Sequence, residues 1–381
     1  MRVLYDYQAF SMQTHGGVSR CFAELYKHMP EGISAKISVR ESDNVYVKDI
    51  EGIMPADYRY DHFICRQDFY GKGHLHLWYD RLVNGGYYPD YNKNYSIDLL
   101  KEGNFDVFHP TFFDDYFLPY LNGKPFVLTI HDMIPWLYSS ADHPNWKWQV
   151  LKMKNLVPLA SAIIAVSENT KKDIIRLLNV PESKIHVVCH GSSLPMIKGE
   201  PHFLFPYILY VGDRGGYKNF IPFLRSMLPV LNRNKELRIV CTGKPFSQEE
   251  RILIHENVMD DRIHVCWVKT DEELFSLYHY AQCFVFPSEY EGFGIPILEA
   301  YQAGCPVLLN RTSCFPEIAG DAAIYFELNS KSSNLAEKVE QLLLMTSDER
   351  SALIEKQKVR LANYSWKASA KQMAAIYQSL C

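Results

Sequence analysis

The 381-residue sequence has no surplus of charge of either sign: 40 Lys and Arg stand against 44 Asp and Glu, a formal net charge of −4. A chain that grips nucleic-acid phosphates needs a basic surplus or stripe, so nucleic acid is not an expected partner. The nine cysteines contain no C-x-x-C pair, and several lie in apolar runs such as Cys283-Phe284-Val285-Phe286. They read as reduced core residues of a cytosolic protein, not as disulfides or zinc ligands. No apolar run approaches the roughly 20 residues of a membrane-spanning helix, and Met1–Asp6 carries no leader pattern. The expectation is a cytoplasmic protein, with any membrane contact peripheral and at the inner face of the cytoplasmic membrane. No G-x-x-x-x-G-K-[ST] or G-x-G-x-x-G follows a strand, which argues against a P-loop and a dinucleotide fold. His74-Leu75-His76 and Asp114-Asp115 fall short of a closed ligand set, so no metal is expected.

What the chain does have is length for two cores, and short β-branched or aromatic runs alternating with helix-period segments. That alternation predicts an α/β protein with parallel sheets. Strands are expected at Arg2–Tyr7, Val107–His109, Phe126–Ile130, Ala162–Val166 and His186–Cys189. A second set follows at Tyr207–Gly212, Leu237–Thr242, Arg262–Val265, Cys283–Phe286, Val307–Asn310 and Ala323–Phe326. Gly191, Pro195, Gly199, Pro201 and Pro206 break the pattern between the sets, placing a domain boundary near residue 200. The domains are therefore 1–200 and 201–365, with 366–381 as a C-terminal helix started by Ser365 as N-cap. Ile53–Ile97, rich in Tyr, Asp and Gly without a clear period, reads as an aromatic-lined insertion in the first domain.

In open α/β sheets the informative residues directly follow strands. After Cys283–Phe286 comes Pro287-Ser288-Glu289-Tyr290-Glu291-Gly292-Phe293-Gly294-Ile295-Pro296-Ile297-Leu298-Glu299-Ala300. Pro296 suits the first helical position, which puts Glu299 in the first helical turn and Glu291 on the loop before it. Carboxylates accept hydrogen bonds only, so the two suit hydroxyl pairs on two sugars. Gly292 and Gly294 admit close backbone approach, and a helix start favours phosphate. Spacing alone leaves a second reading equally open, in which Glu299 serves the helix dipole and Glu291 is solvated.

The turn Gly212-Asp213-Arg214-Gly215-Gly216-Tyr217-Lys218-Asn219 carries two cations suited to a departing diphosphate, although basic turns are commonly just solvated. His15-Gly16-Gly17-Val18 precedes a helix, as a phosphate-facing turn or simply a Gly pair in a loop. His131-Asp132 ends the strand Phe126–Ile130, where a lone His is most often a packed residue. Ser167 reads as a helix N-cap.

The Glu291–Glu299 segment resembles the Glu-(x7)-Glu signature of the family-4 retaining glycosyltransferases. The likeness runs through residues 205–330, including Asp271-Glu272-Glu273-Leu274, Ala303-Gly304-Cys305-Pro306-Val307 and Pro316-Glu317-Ile318-Ala319-Gly320-Asp321. It implies the GT-B fold, two Rossmann-like doubly wound domains facing across a cleft, with acceptor on the first, donor on the second, and the final helix 366–381 crossing back to the first. By resemblance His131 lies near the transferred sugar, the Gly16-Gly17 turn over the donor diphosphate, and Gln8–Thr14 beside the acceptor. Lys218 matches the family's diphosphate cation, while Arg214 stands one residue later than the usual Arg. Glu291, with Gly292, Phe293, Gly294 and Ile295, is assigned to the donor sugar and phosphate, and Glu299 to the ribose. The base is assigned to Gly243, Lys244 and Val268.

The overall pattern, particularly Gly16-Gly17 with Arg214-Gly215-Gly216-Tyr217-Lys218-Asn219, resembles the mannosyltransferase-like group of bacterial O-antigen and capsular polysaccharide synthesis. It implies transfer from a nucleotide-sugar co-substrate, GDP-mannose first among candidates, to a glycan or polyprenyl-linked acceptor, with retention and without metal or other cofactor. A non-catalytic nucleotide-sugar-binding subunit would keep these motifs but turn over no acceptor. An NAD-dependent oxidoreductase would share the architecture but needs the missing fingerprint.

Overall fold

The computed structural model describes residues 1–64, 66–67, 69–83, 90–138, 144–196, 199–328 and 333–381. Cys65, part of the aromatic insertion and residues 197–198 of the expected linker lie outside the described residues. The chain forms two compact units, one of residues 1–166, 170–189 and 366–381, the other of 167–169 and 190–365.

In the first unit, β1 (Arg2–Tyr5), β2 (Ser34–Ile37), β3 (Val107–His109), β4 (Val127–Ile130), β5 (Ala162–Ala165) and β6 (Ile185–Val187) are parallel. They pair in the orders β2-β1-β3 and β4-β5-β6, with a Phe108–Phe126 bridge joining the two sets. β4 and β5 are apolar at nearly every position because helices cover both faces of a parallel sheet. β1 stops two residues earlier than expected: Asp6 leaves the ladder to accept hydrogen bonds from Thr111. Among the described residues, the aromatic insertion is largely helical, with helices at Lys72–Val83 and Asp90–Glu102. Its tyrosines serve as platforms for cations, Arg40 lying 4.2 Å from the Tyr95 ring centroid and Arg59 3.7 Å from that of Tyr91. The C-terminal helix Trp366–Gln378 completes this unit's core, burying Trp366, Ala370, Met373 and Tyr377 with Val3, Tyr5, Phe22 and Val107.

In the second unit, β7 (Tyr207–Tyr210), β8 (Arg238–Thr242), β9 (Ile263–Cys266), β10 (Cys283–Phe286), β11 (Val307–Asn310) and β12 (Ile324–Phe326) form one parallel sheet. The order is β12-β11-β10-β7-β8-β9, so the first strand of the unit lies beside the fourth. Strand order reverses between β7 and β10, which makes their carboxyl ends the topological switch point where such sheets bind ligands. Ile208, Phe223, Met227, Ile239, Val285 and Leu308 fill the core beneath it. Among the described residues, no helix is long and apolar enough to cross a membrane.

Candidate active site

The switch point of the second unit brings two of the sequence motifs together. Lys218 ends a short 3₁₀ turn after β7, and its Nζ lies 2.6 Å from Glu291 Oε1 on the loop after β10. Their side chains are 19% and 12% exposed, so the pair is sheltered yet reachable. The backbone also joins the two loops: Glu289 N–H donates to the Tyr217 carbonyl at 2.8 Å, and Asn219 Nδ2 to the Pro287 carbonyl at 3.2 Å. The loop after β11 adds a third support. Ser313 Oγ donates to the Glu291 carbonyl at 2.7 Å and accepts from its N–H at 3.2 Å. Ser167, which clusters with the second unit, donates from Oγ to the Gly292 carbonyl at 2.6 Å. Glu291 is therefore held at both ends of its own residue, with its carboxylate against a cation.

Helix Ile295–Gln302 begins one residue earlier than its Pro suggests. Gly294, with φ +89°, is the N-cap, and Pro296 takes the second helical position. A Cβ on Gly294 would lie 3.1 Å from Ile297 Cδ1, so both dihedral and space require glycine there. The earlier start is a correction for Glu299, which falls in the second turn and not the first. It is 4% exposed, and Tyr278 donates its hydroxyl to Oε2 at 3.2 Å. Phe293 is also buried, its ring edge-on to those of His190 and Tyr364, while Ile295 is half-buried.

Arg214 lies on the Lys218 loop, but its guanidinium is taken up by the protein. Nε donates to Glu250 Oε1 at 3.1 Å, Nη1 to the Thr242 carbonyl at 3.2 Å, and Nη2 to the carbonyls of Lys244 and Pro245. Gly243 and Lys244, half-buried and exposed, follow β8, and half-buried Val268 follows β9.

In the first unit the Gly16-Gly17 turn opens helix Gly17–Lys27. A Cβ on Gly16 would run into the Gln13 carboxamide, whose Oε1 accepts from Ser19 N–H at 3.3 Å, while Gly17 faces open space. His131, at the end of β4, packs its ring edge-on to Phe22, and burial pushes its imidazole pKa down to about 4. Asp132 accepts from Ile134 N–H at 2.9 Å, fixing the turn behind it. Asp114 and Asp115 are in ion pairs with Lys93 and Lys152, at 3.2 and 2.5 Å, so a cation there would have to displace ammonium groups.

Two features escaped sequence reasoning. Asp6, fully buried at the β1/β3 edge, accepts from Thr111, Gln8 and Tyr116, and burial raises its carboxyl pKa against those donors. The expected strand Arg2–Tyr7 enclosed Asp6, and a carboxylate inside an otherwise apolar strand run was the available signal. His109 is the last residue of β3, after Val107 and Phe108, and a short apolar run gives no hint of a polar network.

Two family profiles match the chain: one described as Glycosyl transferases group 1 over residues 204–360, the other as Glycosyltransferase Family 4 over 59–194. Among relatives, O-antigen chain mannosyltransferase B of Escherichia coli is 29% identical over 233 residues, covering 56% of this chain and 60% of that protein. The GDP-mannose:cellobiosyl-diphosphopolyprenol alpha-mannosyltransferase of Xanthomonas oryzae pv. oryzae is 26% identical, covering 66% and 69%. A solved glycosyltransferase from Rickettsia africae superposes with TM-score 0.69 at 17% identity, covering 100% of this chain and 98% of its own. Anabaena HepE, solved with UDP and glucose, gives 0.70 at 14% identity, with 99% of each chain covered. At these identities the structures speak for the fold alone. With matching profiles on both units and two doubly wound parallel sheets, this chain belongs to the group 1 and family 4 glycosyltransferases, of the GT-B fold.

Proposed function

We propose that the chain is a retaining, metal-independent hexosyltransferase that moves mannose from GDP-mannose to a glycan or polyprenyl-linked acceptor in surface-polysaccharide synthesis. The observation that carries the reading is the Lys218–Glu291 ion pair, 2.6 Å across the switch point of the second unit. A cation there meets the growing charge of a departing diphosphate, the task a divalent metal performs elsewhere. Glu291 accepts hydroxyls of the donor sugar, Glu299, oriented by Tyr278, takes the ribose, and the Gly16-Gly17 turn offers backbone to phosphate. His131, held neutral by burial, hydrogen-bonds the transferred sugar without adding charge. The bond from C1 of the sugar to the phosphate oxygen breaks, its electron pair leaving with the nucleoside diphosphate. The acceptor oxygen bonds C1 on the same face, and its proton passes to the departing phosphate oxygen. Neither glutamate acts as a covalent nucleophile.

The relatives named for O-antigen mannose transfer, and for transfer from GDP-mannose to a diphosphopolyprenol, support the choice of donor and acceptor class. We also propose a peripheral membrane contact through helix Lys72–Val83, whose Leu75, Trp78, Tyr79 and Leu82 are exposed at helical spacing.

The test is a thermal-shift panel of GDP-, UDP-, ADP- and dTDP-sugars, followed by transfer assays with and without EDTA. GDP-mannose should raise the melting temperature most, because a ligand bound only to the folded state stabilises it. Lys218→Ala and Glu291→Ala should each lower kcat by about 10²–10³-fold with melting little changed. Full activity in either variant would sink the site assignment, and loss of activity in EDTA would sink metal independence.

A further inference from the structure

Arg214 shares a loop with Lys218, yet the two side chains meet different strands. Lys218 pairs with Glu291 on the loop after β10, whereas Arg214 pairs with Glu250 in helix Gln248–Glu256 and donates to carbonyls of the loop between β8 and that helix. Of the guanidinium's five N–H groups, Nε, one on Nη1 and both on Nη2 are directed at Glu250 and at the carbonyls of Thr242, Lys244 and Pro245. Its carbon lies 5.4 and 5.1 Å from the ring centroids of Phe220 and Phe246. The Arg214 and Glu250 side chains are 6% and 8% exposed. A guanidinium that clamps a diphosphate bidentately needs a free fork, and this one has a single N–H left, on Nη1.

Glu250 extends the linkage. Its Oε2 accepts from Ser247 N–H at 2.7 Å, and Ser247 Oγ accepts from Glu250 N–H at 3.2 Å, capping helix Gln248–Glu256. One arginine thus fixes residues 242–247, from the end of β8 to the start of that helix. β7 and β8 are neighbours, and Gly212 N–H donates to Thr242 Oγ1 at 3.2 Å, so their loops leave the sheet side by side. A ligand whose phosphates rest on Lys218, toward β10, has the β8 loop on its other side.

We infer that Arg214 is a positioning residue for donor recognition: it locks the Gly243–Pro245 main chain into one edge that recognises the nucleoside, and it does not bind the diphosphate. The inference rests on the donor site proposed at the β7/β10 switch point.

The test uses the full chain with GDP and UDP as probes, inorganic pyrophosphate as competitor, and amide hydrogen exchange of residues 243–247. Arg214→Lys keeps the charge but loses the fork, and Glu250→Gln removes its ion-pair partner. Each should weaken binding of the preferred nucleoside diphosphate by about tenfold, with the double variant no worse than either single one, as expected for residues acting as a unit. Pyrophosphate should compete as well as before, and exchange at 243–247 should quicken in both variants. Equal losses for pyrophosphate and nucleoside diphosphate in Arg214→Lys, with Glu250→Gln harmless, would make Arg214 a phosphate ligand and overturn the inference. Unchanged nucleotide binding in both variants would overturn it as well. A native chain that binds neither GDP nor UDP would instead overturn the donor-site reading, and this inference with it. If Arg214→Lys fails to fold, Glu250→Gln decides by the same two readouts.

Discussion

Tyr5, Tyr377, His109 and Thr129 form a buried polar chain in the first unit. The two tyrosine hydroxyls are 2.9 Å apart, Tyr377 Oη lies 2.6 Å from His109 Nδ1, and His109 Nε2 lies 2.8 Å from Thr129 Oγ1. Burial pushes the His109 pKa down to about 3, with His131 nearby adding to it, and that of His131 to about 4. In the unfolded chain both titrate near 6.5. Between that value and the folded pKa the unfolded state therefore binds more protons, and stability falls as pH falls. Each histidine should remove about 1.4 kcal/mol per pH unit. Urea midpoints should drop between pH 7 and pH 5, and His109→Gln, compared with its own value at pH 7, should show a shallower slope. An unchanged slope would refute the assignment. At this scale the Lys218 and Glu291 motifs were legible because each directly follows an apolar strand and matches a family pattern. The surroundings of Arg214 were not, since Glu250 lies 36 residues on and only the fold pairs them. Glu299 stands one position further into its helix than the sequence suggests, because Gly294, in a left-handed conformation, caps a helix that starts at Ile295, before Pro296.

Among elements, the strands easiest to read are those buried on both faces, such as Tyr207–Tyr210 and Cys283–Phe286, which are continuous apolar runs. β2 was missed for the converse reason: Ser34-Ala35-Lys36-Ile37 is a sheet edge, and only Ile37 is buried. The Ile53–Ile97 segment hid its helices because Leu75, Trp78, Tyr79 and Leu82 face outward while His76 and Lys72 are buried, inverting the usual pattern. Helix Lys72–Val83 spans about 18 Å at the rise of an α-helix, too short to cross a bilayer but long enough to lie in its interface. In the proposed membrane contact, Trp78 and Tyr79 sit at headgroup depth with Leu75 and Leu82 beneath. Trp78→Ser with Leu82→Ser should reduce co-flotation with vesicles of bacterial lipid at least several-fold, while transfer to a water-soluble acceptor stays intact. Equal flotation of the native chain and the double variant would end that proposal.

At the scale of the whole molecule, the chain leaves the first unit after Cys189, builds the second, and returns at Trp366. The first unit is thus closed by the last sixteen residues. Trp366, Met373, Ile376 and Tyr377 are all buried there, at 3%, 1%, 9% and 0% exposure. At about 1.5–3 kcal/mol per large apolar side chain, the four contribute about 6–12 kcal/mol. A domain's entire net stability is about 5–15 kcal/mol. Loss of the segment would also strip His109 and Tyr5 of their Tyr377 partner inside the core. A chain ending at Ser365 should therefore lose the first unit while the second, whose core contains none of these residues, keeps its fold. Calorimetry should show one surviving transition, and the nucleoside diphosphate that binds the full chain should still raise its temperature, because Lys218, Glu291 and Arg214 all belong to the second unit. Tyr377→Phe is the milder version, removing the hydroxyl but keeping the ring, and should lower only the first unit's transition. An unaltered melting profile in the truncated chain would mean that the terminal helix is dispensable, which its burial does not allow.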